Sequence, residues 1–220
     1  AYPCNPRFVE AVGGDIHWIK TDATTYFQPT LSQLIEKATD IDRTLILAHP
    51  ANPTGQAVPQ VELEQMTQWC QRTNRHLIVD EIYQNLLFND ALLSSLAISE
   101  HHFVVGSFSK YFNMTGWRLG WLVIPEYALE ATQRLAQHLF ICAPSFAQEA
   151  ALACFEHKAL RDAEMHRLEL KERRDLLIPR LEAMGFKIAA EPDGAFYVFV
   201  DVADIAEDSQ QFCAELICKT

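Results

Sequence analysis

Apolar residues along this chain fall into two rhythms. Short, nearly unbroken apolar runs occupy Thr44–Ala48, His76–Asp80, Phe103–Ser107 and 119–124. A strand buried in a parallel sheet reads this way. Between and after them, apolar positions recur every three or four residues, the spacing of a helix face. Residues 61–72 form such a segment, with Val61, Leu63, Met66, Trp69 and Cys70 supplying most of its apolar face. Thr30-Leu31-Ser32-Gln33 is a capping-box signature and opens a helix to about Ala38. Further helices are predicted at 126–139, 145–156 and 159–184, the last closed by Gly185. Pro179 lies inside that last helix and should kink or split it.

Shorter signals complete the map. Residues 16–19 predict a strand, as do 186–190 and 195–202, the latter two joined by the turn sequence Glu191-Pro192-Asp193-Gly194. A final helix over 209–220 takes Asp208 or Ser209 as its N-cap. Strands alternating with helices predict an α/β protein: a three-layer αβα large domain with a mostly parallel sheet, covered on both faces. The strand rhythm changes across the long helix. The expected division is a large domain over 1–157, a connecting helix over 158–185, and the beginning of a smaller α+β C-terminal domain over 186–220. Residue 1 is Ala rather than Met, and the last helix stops without a closing Gly or Pro. The expectation is a fragment of a longer protein, weak or inactive at this length.

Composition narrows the function classes. The chain has 220 residues, is 49% hydrophobic and 21% charged, and carries a formal net charge of -11. Phosphate backbones need clustered Lys and Arg, so a general nucleic-acid surface is not expected. No apolar run is long enough to span a bilayer. Six cysteines, Cys4, Cys70, Cys142, Cys154, Cys213 and Cys218, form no C-x-x-C pair. Most sit in apolar helical patterns, which points to a reducing, cytoplasmic setting. The eight histidines show no ligand spacing, so no metal site is expected.

The chemistry concentrates after the predicted strands. Asn52-Pro53-Thr54-Gly55 follows the first, Asp80 ends the second, and Ser107-Phe108-Ser109-Lys110 follows the third, leading to Met114-Thr115-Gly116-Trp117-Arg118. In open α/β sheets the ligand crevice lies outside the carboxyl ends of the strands. A lysine amine forms a Schiff base with an aldehyde, and two serines with an arginine hold a phosphate. Pyridoxal phosphate carries both groups, so Lys110 is its candidate covalent anchor and Ser107, Ser109 and Arg118 its candidate phosphate grip. Singly, each segment has a plainer explanation: a turn, a capping Asp, a core tyrosine at Tyr83, a surface lysine. Their order and shared position outweigh those explanations.

With these motifs, Val79-Asp80-Glu81-Ile82-Tyr83, Tyr2-Pro3 and Asp193-Gly194-Ala195-Phe196-Tyr197, the chain resembles the class I/II aminotransferases, fold-type I enzymes that use pyridoxal 5'-phosphate. The resemblance runs over essentially the whole chain. It implies that Lys110 binds the cofactor and moves the substrate's α-proton. It implies that Asp80 pairs with the ring nitrogen, that Asn52 and Tyr83 hydrogen-bond the phenolic oxygen, and that Ser107, Ser109 and Arg118 bind the phosphate. Lys110, Asp80 and Tyr83 are the catalytic candidates. Amino acid and 2-oxo acid substrates and a homodimer follow from the same resemblance. The family's glycine-containing phosphate loop, the aromatic that stacks on the ring and the carboxylate-binding arginine are not visible, and are expected outside residues 1–220. Two other functions stay open on these residues. One is a C–S lyase on the same fold. The other is an aminotransferase-like sensor domain of a transcription regulator, which the acidic charge does not support.

Overall fold

A computed structural model describes residues 2–89 and 93–219. Its elements in chain order are α1 (Cys4–Ala11), α2 (Leu31–Lys37), β1 (Thr44–Ala48), α3 (Gln60–Arg72), β2 (His76–Asp80), β3 (Phe103–Ser107), β4 (Gly120–Val123), α4 (Leu129–Leu139), α5 (Ser145–Leu152), α6 (His157–Ala183) and α7 (Ser209–Lys219). The sheet runs β1-β2-β3-β4. The first two pairings are parallel and the third is antiparallel. The mostly parallel α/β sheet expected from the apolar runs is therefore present.

Parallel neighbours need long crossovers, and helices supply them. α3 carries the chain from β1 back to the start of β2. Its Leu63, Met66, Thr67 and Cys70 are buried. They join Leu34, Leu47, Val58, Leu77, Val79 and Val104 in the main core cluster. Val61, expected on this face, is 64% exposed, and Thr67 takes a buried place instead. Thr67 is tolerated there because its hydroxyl bonds the Leu63 carbonyl at 2.7 Å and the His102 ring at 2.9 Å. Burial alternates along β1–β3, so one face of those three strands is sealed while Ile46 on the other is 39% exposed; β4 is exposed along its length. On that second face Ile78 and Val105 are half-buried.

The capping box at α2 forms as read: the Thr30 hydroxyl accepts from Gln33 N–H, and the Gln33 side chain accepts from Thr30 N–H. Asp208 caps α7 by accepting from the N–H groups of Gln210 and Gln211. Thr220, the last residue of that expected helix, lies outside the described residues.

Several expectations need correction. Residues 16–19 make no ladder with any described strand; Ile19 rests on the core and Trp18 is mostly exposed. α1 was not foreseen; it carries an apolar stripe of Cys4, Phe8 and Ala11, yet none of its eight residues is buried. Residues 186–190 and 195–202 touch only through the isolated Lys187–Asp201 bridge rather than as two strands. A lone two-stranded pair is marginal without a sheet or helix against it. Pro179 does not split α6, which runs unbroken through it. The missing N–H costs one hydrogen bond near the end of the helix. Contacts upstream anchor that helix, including Arg167 to the Leu87 carbonyl at 2.7 Å and Arg174 to the Pro192 carbonyl at 2.9 Å.

Candidate active site

Parallel pairing sets Ala48 beside Asp80 and Asp80 beside Val105, so β1, β2 and β3 end at one rim. The ladder continues past the strands through His49 N–H to the Asp80 carbonyl and Glu81 N–H to the Val105 carbonyl. The loops carrying Asn52, Tyr83 and Lys110 therefore leave the sheet side by side.

Lys110 sits in a loop that holds itself. Ser109 N–H donates to the Ser107 hydroxyl at 3.0 Å, the Thr115 hydroxyl donates to the Ser109 carbonyl at 2.7 Å, and Arg118 donates to the Thr115 carbonyl at 2.7 Å. The lysine nitrogen lies 5.8 Å from the Tyr83 ring centroid and 5.7 Å from that of Phe196. Two aromatic rings thus stand against the amine, and it has no ion-pair partner among the described residues.

Asp80 and Glu81 are adjacent carboxylates with different fates. Glu81 is buried and accepts from Ser95 N–H at 2.6 Å and the Ser94 hydroxyl at 2.7 Å, which fixes it as a structural anchor. Asp80 accepts from Ile82 N–H at 3.2 Å. Burial raises its pKa above the ordinary carboxylate value; the Ile82 N–H works against that rise, and the Glu81 charge adds to it. A partly buried carboxylate in that condition favours a cationic neighbour.

The Tyr83 hydroxyl lies 2.9 Å from the Tyr197 hydroxyl, which accepts from the Asn52 side-chain amide at 3.3 Å. Burial first, then the Tyr197 hydrogen bond, pushes the Tyr83 phenol well above its usual pKa, so it stays protonated and can donate. Tyr197 and Phe196 were not among the sequence candidates. The signal was the Asp193-Gly194-Ala195-Phe196-Tyr197 run, whose two aromatics follow a turn.

That turn is clamped onto the Asn52 loop. The Gly55 carbonyl accepts from Asp193 N–H at 3.0 Å and Gly194 N–H at 3.1 Å, and the Asp193 carboxylate accepts from Ala57 N–H at 2.9 Å. On its other side Ala195 N–H donates to the Leu86 carbonyl. Gly55 has φ +71°, and a Cβ there would lie 2.5 Å from Pro192 Cβ and 2.9 Å from the Gly194 carbonyl oxygen. Gly55→Ala is therefore expected to lower stability by about 1–3 kcal/mol through strain and overpacking, read by urea unfolding. An unchanged midpoint would show that the clamp yields freely.

The structure brings Asn52, Tyr83 and Lys110 together around Tyr197 and Phe196. The phosphate candidates are linked less directly. Arg118 is exposed, in the left-handed region at φ +54°, and reaches the loop through the Thr115 carbonyl rather than through either serine. The Ser107 hydroxyl is engaged by Ser109 N–H and the Leu119 carbonyl at 3.4 Å. The donor set nonetheless fits pyridoxal phosphate. An unpaired amine faces an aldehyde's requirement and a partly buried carboxylate a ring nitrogen's. An amide and a phenol suit a phenolic oxygen, and a serine loop with a guanidinium suits a phosphate.

A model of the family "Aminotransferase class I and II" matches residues 1–219. The valine–pyruvate aminotransferase of Mycobacterium tuberculosis is 38% identical over 221 residues, covering 100% of this chain and 57% of that protein. A crystal structure of an aminotransferase from Mycobacterium tuberculosis superposes with a TM-score of 0.94 at 38% identity, over 100% of this chain and 57% of that one. Aspartate aminotransferase from Thermus thermophilus with maleate gives 0.90 at 31% identity, over 97% and 56%. The chain thus spans little more than half the length of the relatives it matches.

Proposed function

This chain belongs to the class I and II aminotransferases, and from that premise we propose that the whole protein moves an amino group from an amino acid to a 2-oxo acid. The family's cofactor is pyridoxal phosphate. A homodimer in the cytoplasm, and the division into domains at 1–157, 158–185 and 186–220, belong to the same reading. Among the described residues no helix is long and apolar enough to cross a membrane.

The observation that carries the reading is the Lys110 amine, set against the Tyr83 and Phe196 rings on the rim shared by Asn52 and Asp80. When bound, the cofactor supplies an aldehyde that takes up the substrate nitrogen and a protonated ring that draws electrons from the substrate's Cα. Lys110 would hold the aldehyde carbon until the substrate amine displaces it, and its freed amine would then move the Cα proton. Asp80 would keep the ring nitrogen protonated. Asn52 and Tyr83 would donate to the phenolic oxygen, and Ser107, Ser109 and Arg118 would hold the phosphate.

Borohydride reduction of the full-length, cofactor-loaded protein should place the pyridoxyl group on Lys110 in a peptide map. A label on another lysine would overturn the assignment. The name of the Mycobacterium tuberculosis relative makes valine with pyruvate the first pair to assay. Alanine formed in step with the 2-oxo acid supports transamination. Ammonia and pyruvate released from a cysteine-type substrate without an acceptor would mark a lyase instead.

A further inference from the structure

The three groups at the head of the crevice can be counted for protons. Asn52 carries two amide N–H donors, and Tyr83 and Tyr197 carry one O–H each. The Asn52 amide donates one hydrogen to the Tyr197 oxygen across 3.3 Å. The Tyr83 and Tyr197 oxygens are 2.9 Å apart, and one of them must donate to the other. If Tyr197 donates to Tyr83, the O–H of Tyr83 remains to be given, and the Asn52 amide, which also reaches the Tyr83 hydroxyl, has a second N–H to turn to an arriving acceptor. An anionic oxygen arriving between those residues selects that direction, because the reverse would spend the Tyr83 proton on Tyr197.

We propose, on the functional reading above, that Tyr197 is a positioning residue for the cofactor's phenolic oxygen. By accepting from Asn52 and donating to Tyr83, it leaves each of them one donor aimed at that oxygen. Hydrogen bonds in series strengthen one another, so Tyr83 becomes a better donor for receiving one. Tyr197 is placed for this task by the backbone rather than by chance packing. Asp193 and Gly194 hang from the Gly55 carbonyl, and Ala195, fully buried, hangs from the Leu86 carbonyl. The same turn therefore ties the Asn52 loop and the Tyr83 segment to one hydroxyl.

Other charges face this group. Asp80 acts on Tyr83 from the end of β2, and Lys110 approaches its ring from the loop after β3. Tyr2, in the segment before α1, lies near enough to be influenced by Tyr197 and Arg118. Tyr111 packs in the same cluster, backed by Glu164 and Arg167 of α6. None of these is removed by changing Tyr197 to Phe, which deletes one hydroxyl and keeps the ring.

The test is a pH titration of the bound cofactor's absorbance in the full-length holoenzyme, with parent, Tyr197→Phe, Tyr83→Phe and the double variant. Donors to the phenolic oxygen favour its ionised form, so losing part of them should raise the pH at which the cofactor gives up its proton. Tyr197→Phe is expected to raise the midpoint by about 0.5–1 unit, the size of one lost neutral hydrogen bond. Tyr83→Phe should raise it at least as far, and the double variant should add little to Tyr83→Phe. An unchanged midpoint in Tyr197→Phe, with or without a lower melting temperature, would reduce Tyr197 to packing and overturn the proposal. Fully additive shifts would also overturn it, since they would make Tyr197 act independently of Tyr83. A parent protein that takes up no pyridoxal phosphate would overturn the functional reading itself, and this inference with it.

Discussion

Lys110→Arg should leave the protein folded and cofactor-binding while cutting turnover about 10³- to 10⁴-fold. The substitution keeps the positive charge. It also keeps the stacking opportunity, because a guanidinium lies on the Tyr83 and Phe196 rings at least as well as an ammonium does. What it removes is a titratable electron pair, since arginine does not lose its proton in proteins. Loss of a positioned general base costs roughly 10²–10⁴ in rate, and loss of the covalent hold adds to that. The comparison separates chemistry from electrostatics: a merely charged Lys110 would tolerate Arg, and a nucleophile and base would not. The measurement is kcat for the full-length variant at saturating cofactor, beside its melting temperature. Turnover within tenfold of the parent would show that another group moves the proton.

How much of this was legible beforehand depends on the kind of signal. β1, β2 and β3 were readable to the residue because each is a continuous apolar run closed by polar or turn residues. The α2 capping box was readable because both of its hydrogen bonds are local. Asp80, Asn52 and Lys110 could be placed on one rim because parallel strands point the same way. What escaped depends on contacts distant in sequence. Tyr197 meets Asn52 only because residues 191–195 fold back onto Gly55, and nothing in the spacing of Asn52 and Tyr197 announces that. Thr67 reads as a polar interruption of the α3 face until His102 is brought to its hydroxyl. The strands expected at 186–190 and 195–202 have suitable composition, yet composition does not form a ladder without a neighbour to bond.

Asp80→Asn is expected to separate stability from catalysis, with opposite signs. A carboxylate about 4 Å from a protonated ring nitrogen, at an effective dielectric near 20, contributes roughly 4 kcal/mol, less what desolvation takes back. Each 1.36 kcal/mol is tenfold in rate, so turnover per bound cofactor should fall about 10²- to 10³-fold. Without cofactor the same carboxylate is a burden. Burial raises its pKa, so its ionised form is less favourable in the folded protein than in the unfolded one. Below the unfolded carboxyl value of about 3.9 both states are protonated and the cost is absent. As pH rises from there through the raised folded value the cost grows, and above it the cost is complete. Asparagine never ionises and still offers an oxygen to Ile82 N–H, the hydrogen bond that Asp80 now accepts. The cofactor-free Asp80→Asn protein should therefore match or exceed the parent's melting temperature near neutral pH, and the advantage should vanish toward about pH 4. Cofactor retention should suffer less than turnover, because the phosphate grip and Lys110 are untouched. Melting curves across that pH range and single-turnover rates at saturating cofactor read the two effects independently. A variant that loses cofactor yet turns over normally on what it keeps, or melts lower than the parent at every pH, would show that Asp80 serves the fold rather than the ring nitrogen.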